Sequence, residues 1–498
     1  MHLVQIQSQQ YNRPIPNTLF PFEFEQNNND LNQGYYFATP SKIGSQPNSI
    51  GYIKPSVVLY DTDGYVYWYL TPNSNGCLDF KFYPLSNIYS FTSNYGPNNN
   101  PDFFILDSNL NYIDTINTIG TLEDVHDIQK LNNGNWMVSA IYSDTLDLTG
   151  YTFNGVAGKN NTPIKGFGLQ EIDINNNVVF EWNSNDYIHP SETYDEYGYD
   201  STFFDYCHGN AVEEDFDGNL LISLRHLNSI YKINRTNGDV IWKLGGKSSD
   251  FIFSNGDFFS GQHDIRALDN GNYSLFDNGN MSPDPKVSRG VEYLLDTISW
   301  TANIVEQYIH SDSIYSRAMG SYQTTINDNK LLGYGLTFRP NPSATIIDNN
   351  QNTIAEFIFQ DSVVSYRFLH FTPTLPPRTQ ISCEQTLTGW RLWAPNSNSY
   401  LWSTGDTTES IMVTNMDTIQ VWTPYGSGFI GSEPLIIDDI NEPCGYSAIN
   451  ENSIIEGNEK YVLYNLLGQP VLRPKENHIY IKVYESGRTQ KTIHQLDY

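Results

Sequence analysis

One phrase recurs along this chain and narrows what it can fold into. A short alternating strand ends near an Asp or Asn, a polar turn follows, and a second alternating strand closes on an aromatic or aliphatic residue. Copies read Leu59-Tyr-Asp-Thr-Asp-Gly-Tyr-Val-Tyr-Trp68, Ile105-Leu-Asp-Ser-Asn-Leu-Asn-Tyr-Ile113 and Glu171-Ile-Asp-Ile-Asn-Asn-Asn-Val-Val-Phe-Glu-Trp182. Others begin at Lys232, at Tyr293 and at Ile346. The period of two marks strands, and Asn, Asp and Gly accept the left-handed backbone that tight hairpins need. A second hairpin stands before several copies: His126-Asp-Ile-Gln-Lys-Leu-Asn-Asn-Gly-Asn-Trp136, Asn210-Ala-Val-Glu-Glu-Asp-Phe-Asp-Gly-Asn-Leu220 and His263-Asp-Ile-Arg-Ala-Leu-Asp-Asn-Gly-Asn-Tyr273. Two hairpins make four strands, and six such units begin near residues 59, 105, 171, 232, 293 and 346. Four-stranded repeats of this length predict an all-β fold, a six-bladed β-propeller over residues 18–375 behind a short N-terminal segment 1–17.

Charge excludes several functions. The 498 residues carry 27 Lys+Arg against 56 Asp+Glu, a formal net charge of −29. Nucleic acid and anionic membrane surfaces both call for clustered basic residues, so neither is an expected partner. No apolar run approaches the roughly 20 residues that span a bilayer. Few lysines beside many Asn, Tyr, Thr and Ser read as an extracytoplasmic β-rich protein, secreted or at the cell surface. Met1–Gln10 lacks a basic stretch followed by an apolar run, so a secretion signal is expected to be absent or removed. Of the four cysteines at 77, 207, 383 and 444, none pairs at zinc-ligand spacing. Cys383 and Cys444 flank one small domain and could bridge it in an oxidising compartment. Cys207, beside His208, reads as a thiol nucleophile or as a buried structural cysteine.

Three of the ten histidines mark equivalent edges of the repeat. His126 and His263 open the same phrase, and His208 precedes the matching hairpin as His208-Gly-Asn-Ala-Val. In a propeller such positions converge on one axis, and Arg225 follows one hairpin after His208. Three imidazoles and a guanidinium would form a compact cationic site that favours a small anion inside an acidic protein. The same histidines could instead brace hydrogen bonds within each blade. They could also bind zinc with a Glu or Asp, although a fixed cation such as Arg225 beside the metal opposes that. His226 is expected to face away from the site by strand alternation. Arg289 could bind an anion or pair with Glu292. The loop holding His189 and Tyr194-Asp-Glu-Tyr-Gly-Tyr-Asp200 reads as an aromatic lid or as a solvated loop. No Gly-x-Ser-x-Gly, His-Glu-x-x-His, Walker A or dinucleotide fingerprint is present.

His126-Asp-Ile, Cys207-His-Gly-Asn-Ala-Val212, Ser223-Leu-Arg-His226, Ile241-Trp-Lys-Leu-Gly-Gly246 and Gly261-Gln-His-Asp264 together resemble the arylsulfotransferases. Asp277-Asn-Gly279 and Ser288-Arg-Gly290 extend the likeness, which covers roughly residues 50–370. The resemblance implies a six-bladed propeller that moves a sulfuryl group from an aryl sulfate donor to a phenolic acceptor, without a nucleotide and through a sulfated histidine. By motif, His263 takes the nucleophile's place. His126, His208 and Arg225 take the remaining catalytic places, while Asp277, Asn278 and Arg289 become candidate substrate-binding residues. No cofactor is implied. The physical chemistry agrees. Sulfuryl transfer spreads charge over nonbridging oxygens, a forked guanidinium can hold two of them, and a neutral imidazole is a competent nucleophile near pH 7. The other reading is a non-catalytic propeller that binds a sulfated glycan or a polyphenol, or mediates adhesion.

Past residue 375 the pattern changes. Residues 376–447, with Ser399-Tyr-Leu-Trp-Ser-Thr-Gly405 and Thr418-Ile-Gln-Val-Trp422, resemble the immunoglobulin-like modules of secreted Bacteroidetes proteins. Residues 448–498 carry Lys460-Tyr-Val-Leu-Tyr-Asn-Leu-Leu-Gly-Gln469 and His478-Ile-Tyr-Ile-Lys-Val-Tyr-Glu-Ser-Gly-Arg488. They resemble the C-terminal sorting domain of type IX secretion cargo, which implies export across an outer membrane with that machinery as partner.

Overall fold

The computed structural model describes residues 13–27, 33–44, 52–94, 101–254, 257–360 and 362–437, together with four strands between 454 and 493. These residues form β-strands joined by turns, with a few short 3₁₀ turns and no α-helix. They divide into two compact units, 1–377 with 424–430, and 378–423 with 431–498.

Six antiparallel sheets follow one another through the described residues of the first unit, and the result is propeller-like. Sheet 1 is composite: Phe368–Phe371 holds its first place, followed by Tyr35–Ala38, Val57–Asp61 and Val66–Leu70. Sheet 2 runs Gly76–Tyr83, Ile88–Asn94, Asp102–Leu106 and Tyr112–Ile116, and sheet 3 runs Leu122–Lys130, Trp136–Leu146, Thr162–Ile172 and Val178–Asn183. Sheet 4 runs Gly209–Glu214, Leu220–Leu224, Ser229–Ile233 and Val240–Gly245. Sheet 5 runs His263–Ala267, Tyr273–Asp277, Arg289–Asp296 and Thr301–Tyr308, and sheet 6 runs Ser321–Thr324, Lys330–Gly333, Ala344–Ile347 and Thr353–Phe359. The first strand of each sheet lies against the first strand of the next, and that of sheet 6 lies against Phe368–Phe371, which closes the circuit. Phe22–Gln26 adds a fifth strand to sheet 6, with Phe22 opposite Phe359 and Gln26 opposite Ala355. The two ends of the first unit's main segment thus complete sheet 6 and sheet 1, and Thr353–Phe359 gains a partner on what would otherwise be an open edge.

The recurring phrase of the sequence is the hairpin between third and fourth strands. Asp107 Oδ1 accepts the N–H groups of Asn109 and Asn111 at 2.9 and 2.8 Å, and Asp173 treats Asn175 and Asn177 alike at 2.9 and 2.8 Å. Asp348 does the same for Asn350 and Asn352, both at 2.8 Å. One carboxylate therefore satisfies two turn donors, and the residue between them turns left-handed, as at Leu110 and Asn176. The hairpins between first and second strands turn instead on Gly134, Gly218 and Gly271, all at positive φ.

Core side chains fill the spaces between neighbouring sheets. Phe37 and Leu59 meet Phe82 and Tyr89 between sheets 1 and 2, while Met137 and Leu169 meet Leu220 and Ile222 between sheets 3 and 4. Phe276 and Tyr308 meet Tyr322 and Leu332 between sheets 5 and 6. Sheets covered on both faces need continuous apolar strands, which explains runs such as Leu220-Leu-Ile-Ser-Leu224. One segment lies outside its expected neighbourhood. Phe429 and Ile430 pair with Tyr69 and Trp68, so residues 424–430 belong to the first unit rather than to the module spanning 376–447. The Trp68 indole N–H donates to the Tyr425 carbonyl at 3.0 Å and anchors that return.

In the second unit Ser382–Thr386, Gly389–Trp393 and Ser410–Val413 form one sheet around a core of Trp390, Leu392, Trp402 and Val421. Cys383 is disulfide-bonded, whereas Cys77 and Cys207 are free and buried. Cys444 lies outside the described residues. Ile454–Glu456, Glu459–Tyr464, Ile479–Tyr484 and Thr489–Ile493 make a four-stranded antiparallel sheet. The Asn465-to-Gln469 turn of the expected sorting domain and Met1–Gln10, where a secretion signal is expected to be absent or removed, also lie outside the described residues.

Candidate active site

All six sheets supply the lining of one cavity of about 560 Å³. Leu78, His126 and His263 come from the first strands of sheets 2, 3 and 5. His208, Met319 and Tyr366 come from the residues just before the first strands of sheets 4, 6 and 1. Register breaks in the first strands of sheets 2 to 5 sit at or beside these positions, after Leu78, across His126, after Gly209 and after His263. A bulge of this kind re-aims a side chain, here toward the common cavity. His208 itself adopts φ 48, a left-handed backbone that few non-glycine residues take and that is often found at functional sites.

His126, His208, Arg225 and His263 are therefore brought together. The His126 and His208 rings meet edge to face with centroids 5.0 Å apart. Both Nδ1 atoms face carboxylates. That of His208 donates to Asp205 Oδ2 at 2.7 Å, and that of His126 bonds Asp124. Because an ionised carboxylate only accepts, Nδ1 carries the proton in each neutral ring and leaves Nε2 available. Lys165 bridges the two aspartates, 3.6 Å from Asp124 and 3.4 Å from Asp205. Burial opposes ionisation of Asp205, yet the neighbouring His208 and Lys165 hold its carboxyl well below the usual range. Burial also lowers the His208 pKa, against the pull of Asp205.

His263 is anchored differently. The Asn278 amide nitrogen donates to two carbonyls, Ser316 and Met319, both at 2.9 Å. Its amide oxygen must then accept from His263 Nδ1–H, at 2.7 Å, and the Nε2 lone pair is fixed by elimination. That lone pair receives only the Met319 N–H at 3.2 Å, a long hydrogen bond. Burial, then the nearby Arg225 charge, pushes the His263 pKa well below its ordinary value, so the ring is neutral at pH 7. Asn278 is thus a positioning residue rather than the substrate contact its motif suggested.

Arg225 opens the 3₁₀ turn Arg225–Leu227, tied to its neighbour strand where Arg225 N–H donates to the His208 carbonyl at 3.0 Å. One Nη donates to the Arg317 carbonyl at 3.0 Å, the guanidinium lies 4.9 Å from the Tyr197 ring centre, and the buried Nε has no hydrogen-bond partner among the described residues. Burial lowers the Arg225 pKa, and the pull of Tyr197, Tyr315 and Asp205 only partly offsets it.

Two expectations need correction. Strand alternation was to send His226 away from the site, yet His226 lines the cavity because Arg225–Leu227 is a 3₁₀ turn and not a strand. Its ring stacks between His208 and Tyr197, at 4.6 and 4.5 Å, and burial, then the His208 charge, pulls its pKa down to about 3. Asp277 and Arg289, for their part, are not among the lining residues. Arg289 Nε pairs with Asp277 Oδ2 at 2.9 Å, and Asp277 also caps the N–H groups of Ser260 and Gly279, both at 2.9 Å. Glu292, the partner considered for Arg289, instead accepts from Asn270 and Asn272 at 2.9 and 2.5 Å. The pair holds the segment around Asn278.

From the Tyr194–Asp200 loop, Tyr197 forms an aromatic wall, while His189 packs on Tyr151 at 4.5 Å and does not line the cavity. Tyr366, between His126 and His263 at 5.8 and 6.5 Å, was missed, as were Lys286, Tyr315 and Arg317. Asp205, His208 and His226 place one potential metal ligand each within 4.8 Å. The Asp205 carboxylate already accepts from His208 and faces Lys165, and Arg225 adjoins, so the charge there is balanced without a cation. Cys207 is no nucleophile. Burial, then the Asp205 charge, pushes its thiol up to about 12, and its sulfur accepts the Phe167 N–H at 3.2 Å.

Gly209, next to His208, has the buried Phe167 ring 2.2 Å from where a Cβ would stand. Gly209→Ala is expected to destabilise the fold by about 1–3 kcal/mol through overpacking, read as a lower denaturation midpoint.

The family model for Arylsulfotransferase (ASST) matches residues 104–360, and the chain belongs to that family. No curated protein matches it. Among solved structures, a protein of unknown function from Bacteroides caccae is 10% identical with a TM-score of 0.42, covering 68% of this chain and 99% of its own. A virginiamycin B lyase from Staphylococcus aureus with quinupristin is 11% identical with a TM-score of 0.34, covering 82% and 98%. The Myceliophteria thermophila Cps50 (Swd1) β-propeller domain is 7% identical with a TM-score of 0.33, covering 86% and 96%. None of these likenesses bears on function.

Proposed function

We propose that this protein is a secreted, six-bladed propeller sulfotransferase that moves a sulfuryl group from an aryl sulfate to a phenol through a sulfated His263. One observation carries the reading. In a chain of net charge −29, the cavity lining holds four histidines, two arginines and a lysine but no aspartate or glutamate. Such a pocket stabilises an anion, and its aromatic walls suit an aryl ring.

Arg225 holds two sulfuryl oxygens, its Nε unpaired until then. The His263 Nε2 lone pair attacks sulfur, the S–O bond to the aryl group breaks, and the electron pair leaves with the phenoxide. The Met319 N–H gives up its long bond to Nε2 as the N–S bond forms. The His126/His208 pair holds one Nε2 proton, which Asp124 and Asp205 balance together with Lys165. It passes that proton to the departing oxygen and recovers one from the acceptor phenol, whose oxygen attacks sulfur as the N–S bond breaks and its electron pair returns to His263 Nε2. No net proton is consumed. Asp124 and Asp205 keep both rings oriented and stabilise whichever is charged.

Incubation with p-nitrophenyl sulfate and phenol is expected to release nitrophenol, yield phenyl sulfate and leave a sulfuryl group on the peptide holding His263. Release equally fast without phenol would mark a hydrolase. Ligand binding without turnover by any donor would mark a non-catalytic binding propeller. Arg225→Ala is expected to lower kcat/KM by about 10²–10³, the usual loss for one fixed electrostatic donor. The acid limb of the wild-type profile falls where His263 becomes protonated in the free enzyme, well below pH 6.5. Losing Arg225 removes part of the charge that disfavours that proton, so the limb moves up toward 6.5.

The disulfide at Cys383 suits an oxidising compartment and supports secretion. On the sequence resemblances, residues 376–447, apart from the 424–430 segment that pairs with the first unit, form an immunoglobulin-like module. Residues 448–498 form a type IX sorting domain that engages the secretion machinery.

A further inference from the structure

We propose that the aromatic substrate carries a second anionic group, a carboxylate or another sulfate, recognised by Arg317 with Lys286 beside it. The inference rests on the sulfuryl-transfer function above and names its substrate class. The sulfate being transferred is a monoanion, and Arg225 alone matches its charge, since burial leaves His226 and His263 neutral and the proton on the His126/His208 pair answers the net −1 of Asp124, Asp205 and Lys165. Arg317 and Lys286 also line the cavity and exceed that need. An exposed arginine is ordinarily unremarkable. This one borders a cavity whose lining holds no acid, and its side chain makes no ion pair or hydrogen bond among the described residues.

Arg317 is also held in place by its backbone. Its carbonyl accepts from Arg225 Nη at 3.0 Å, which ties the second cation to the first. The Ser316 N–H donates to Ser288 Oγ at 2.8 Å, and the Ser316 carbonyl accepts from Asn278, the residue that orients His263. Lys286 reaches the Asn280 carbonyl and stands 5.9 Å from the Tyr315 ring centre. Tyr197 lies beside Arg225 and Tyr315 beside Lys286, so each of these cations has an aromatic neighbour in the lining. A ring with sulfate at one end and a second anion at the other matches that arrangement. About 560 Å³ lies within the range that encloses such a ligand. The two cations also give a dianion local compensation against the overall field of an acidic protein.

The test compares 3-(4-hydroxyphenyl)propionate with its methyl ester as acceptors, and 4-sulfooxybenzoate with its methyl ester as donors. At least one acid is expected to exceed its ester in kcat/KM by about tenfold or more, and the pair that does so shows whether the anion rides on acceptor or donor. The ratio is expected to fall toward one in Arg317→Ala with Lys286→Met, to survive in part in Arg317→Lys, and to shrink as salt is raised. Calorimetric binding of the same four compounds needs no turnover. Preferred binding of an acid that Arg317→Ala abolishes, without transfer from any donor, would uphold the anion site and overturn the transferase function. Transfer with acids and esters bound and used alike would overturn the inference alone, as would binding of none of the four.

Discussion

His263→Asn is expected to reduce sulfuryl transfer on the order of 10⁴-fold or more and to remove the covalent intermediate, with the fold retained. Asparagine is smaller than histidine, polar, and able to donate to Asn278 Oδ1, so the buried acceptor need not be orphaned. It offers no lone pair of imidazole basicity, however, and forms no sulfated product. Two measurements check this. Pre-steady-state mixing with p-nitrophenyl sulfate should show a burst of nitrophenol matching the enzyme concentration in wild type and none in the variant. Mass analysis after acid-free quenching should find the sulfuryl group on the wild-type peptide and not on the variant's. A burst that survives in His263→Asn would move the nucleophile to His126 or His208, the other rings whose Nε2 atoms are available. The geometry favours His263 over these two. Its Nδ1 faces a neutral amide and Arg225 stands nearby, so its lone pair stays unprotonated at neutral pH. His126 and His208 each hold Nδ1–H against a carboxylate, which fixes the ring and aims Nε2 for proton transfer.

The convergence of His126, His208 and His263 was legible because the phrase around them repeats, and a repeat carries its position with it. Arg225 was legible through its place one hairpin after His208. Arg317, Tyr315 and Tyr366 were not, because they sit on connections between sheets, and Lys286 was not, because it sits in the loop between Tyr273–Asp277 and Arg289–Asp296 within sheet 5; no pattern recurs in these segments from one unit to the next. His226 was misplaced for a local reason. Leu220-Leu-Ile-Ser-Leu224 alternates as a strand, and nothing in the letters Arg-His-Leu announces that the chain tightens into a 3₁₀ turn there. Asp277 and Arg289 fall in recognisable motifs, but their mutual ion pair lies behind Asn278, and a motif does not tell which of its members faces the cavity. Residues 424–430 were assigned to the wrong neighbour since strand pairing across more than 350 positions leaves no local trace.

The phrase His-Asp-Ile has a second meaning, and it leads to the largest stability effect. One residue after the cavity-lining positions stand Asp79, Asp127 and Asp264, all buried. Arg367, 1% exposed at its side chain, reaches all three: Asp79 through Nη1, Asp127 through Nη2 at 3.3 Å and Asp264 through Nε at 3.2 Å. It also donates to the Asn210 carbonyl at 3.0 Å, so one guanidinium just before the closing strand of sheet 1 joins sheets 2, 3, 4 and 5. Lys81 and Arg266 complete the network through Asp79, Asp127 and Asp264. Burial alone would raise the Asp127 pKa, but Lys81, Arg367 and Arg266 hold it well below the usual carboxylate range. A carboxylate so depressed stabilises the fold at pH values above the unfolded aspartate pKa of about 3.9, and that contribution is lost as pH falls toward the folded value. Arg367→Met keeps much of the side-chain volume but leaves three buried acids facing two cations. The expected cost is about 3–5 kcal/mol at pH 7, the range for removing one partner of a buried ion pair. Denaturant titration from pH 7 down to pH 4 checks both sign and size. The deficit of Arg367→Met relative to wild type should narrow as the pH falls, because protonating an unpaired aspartate relieves part of the penalty. Asp79→Asn in the Arg367→Met background should recover stability at pH 7, since it removes the charge left over. A variant as stable as wild type at pH 7, or a double variant worse than the single, would mean that the hub is held by packing and that its charges are incidental.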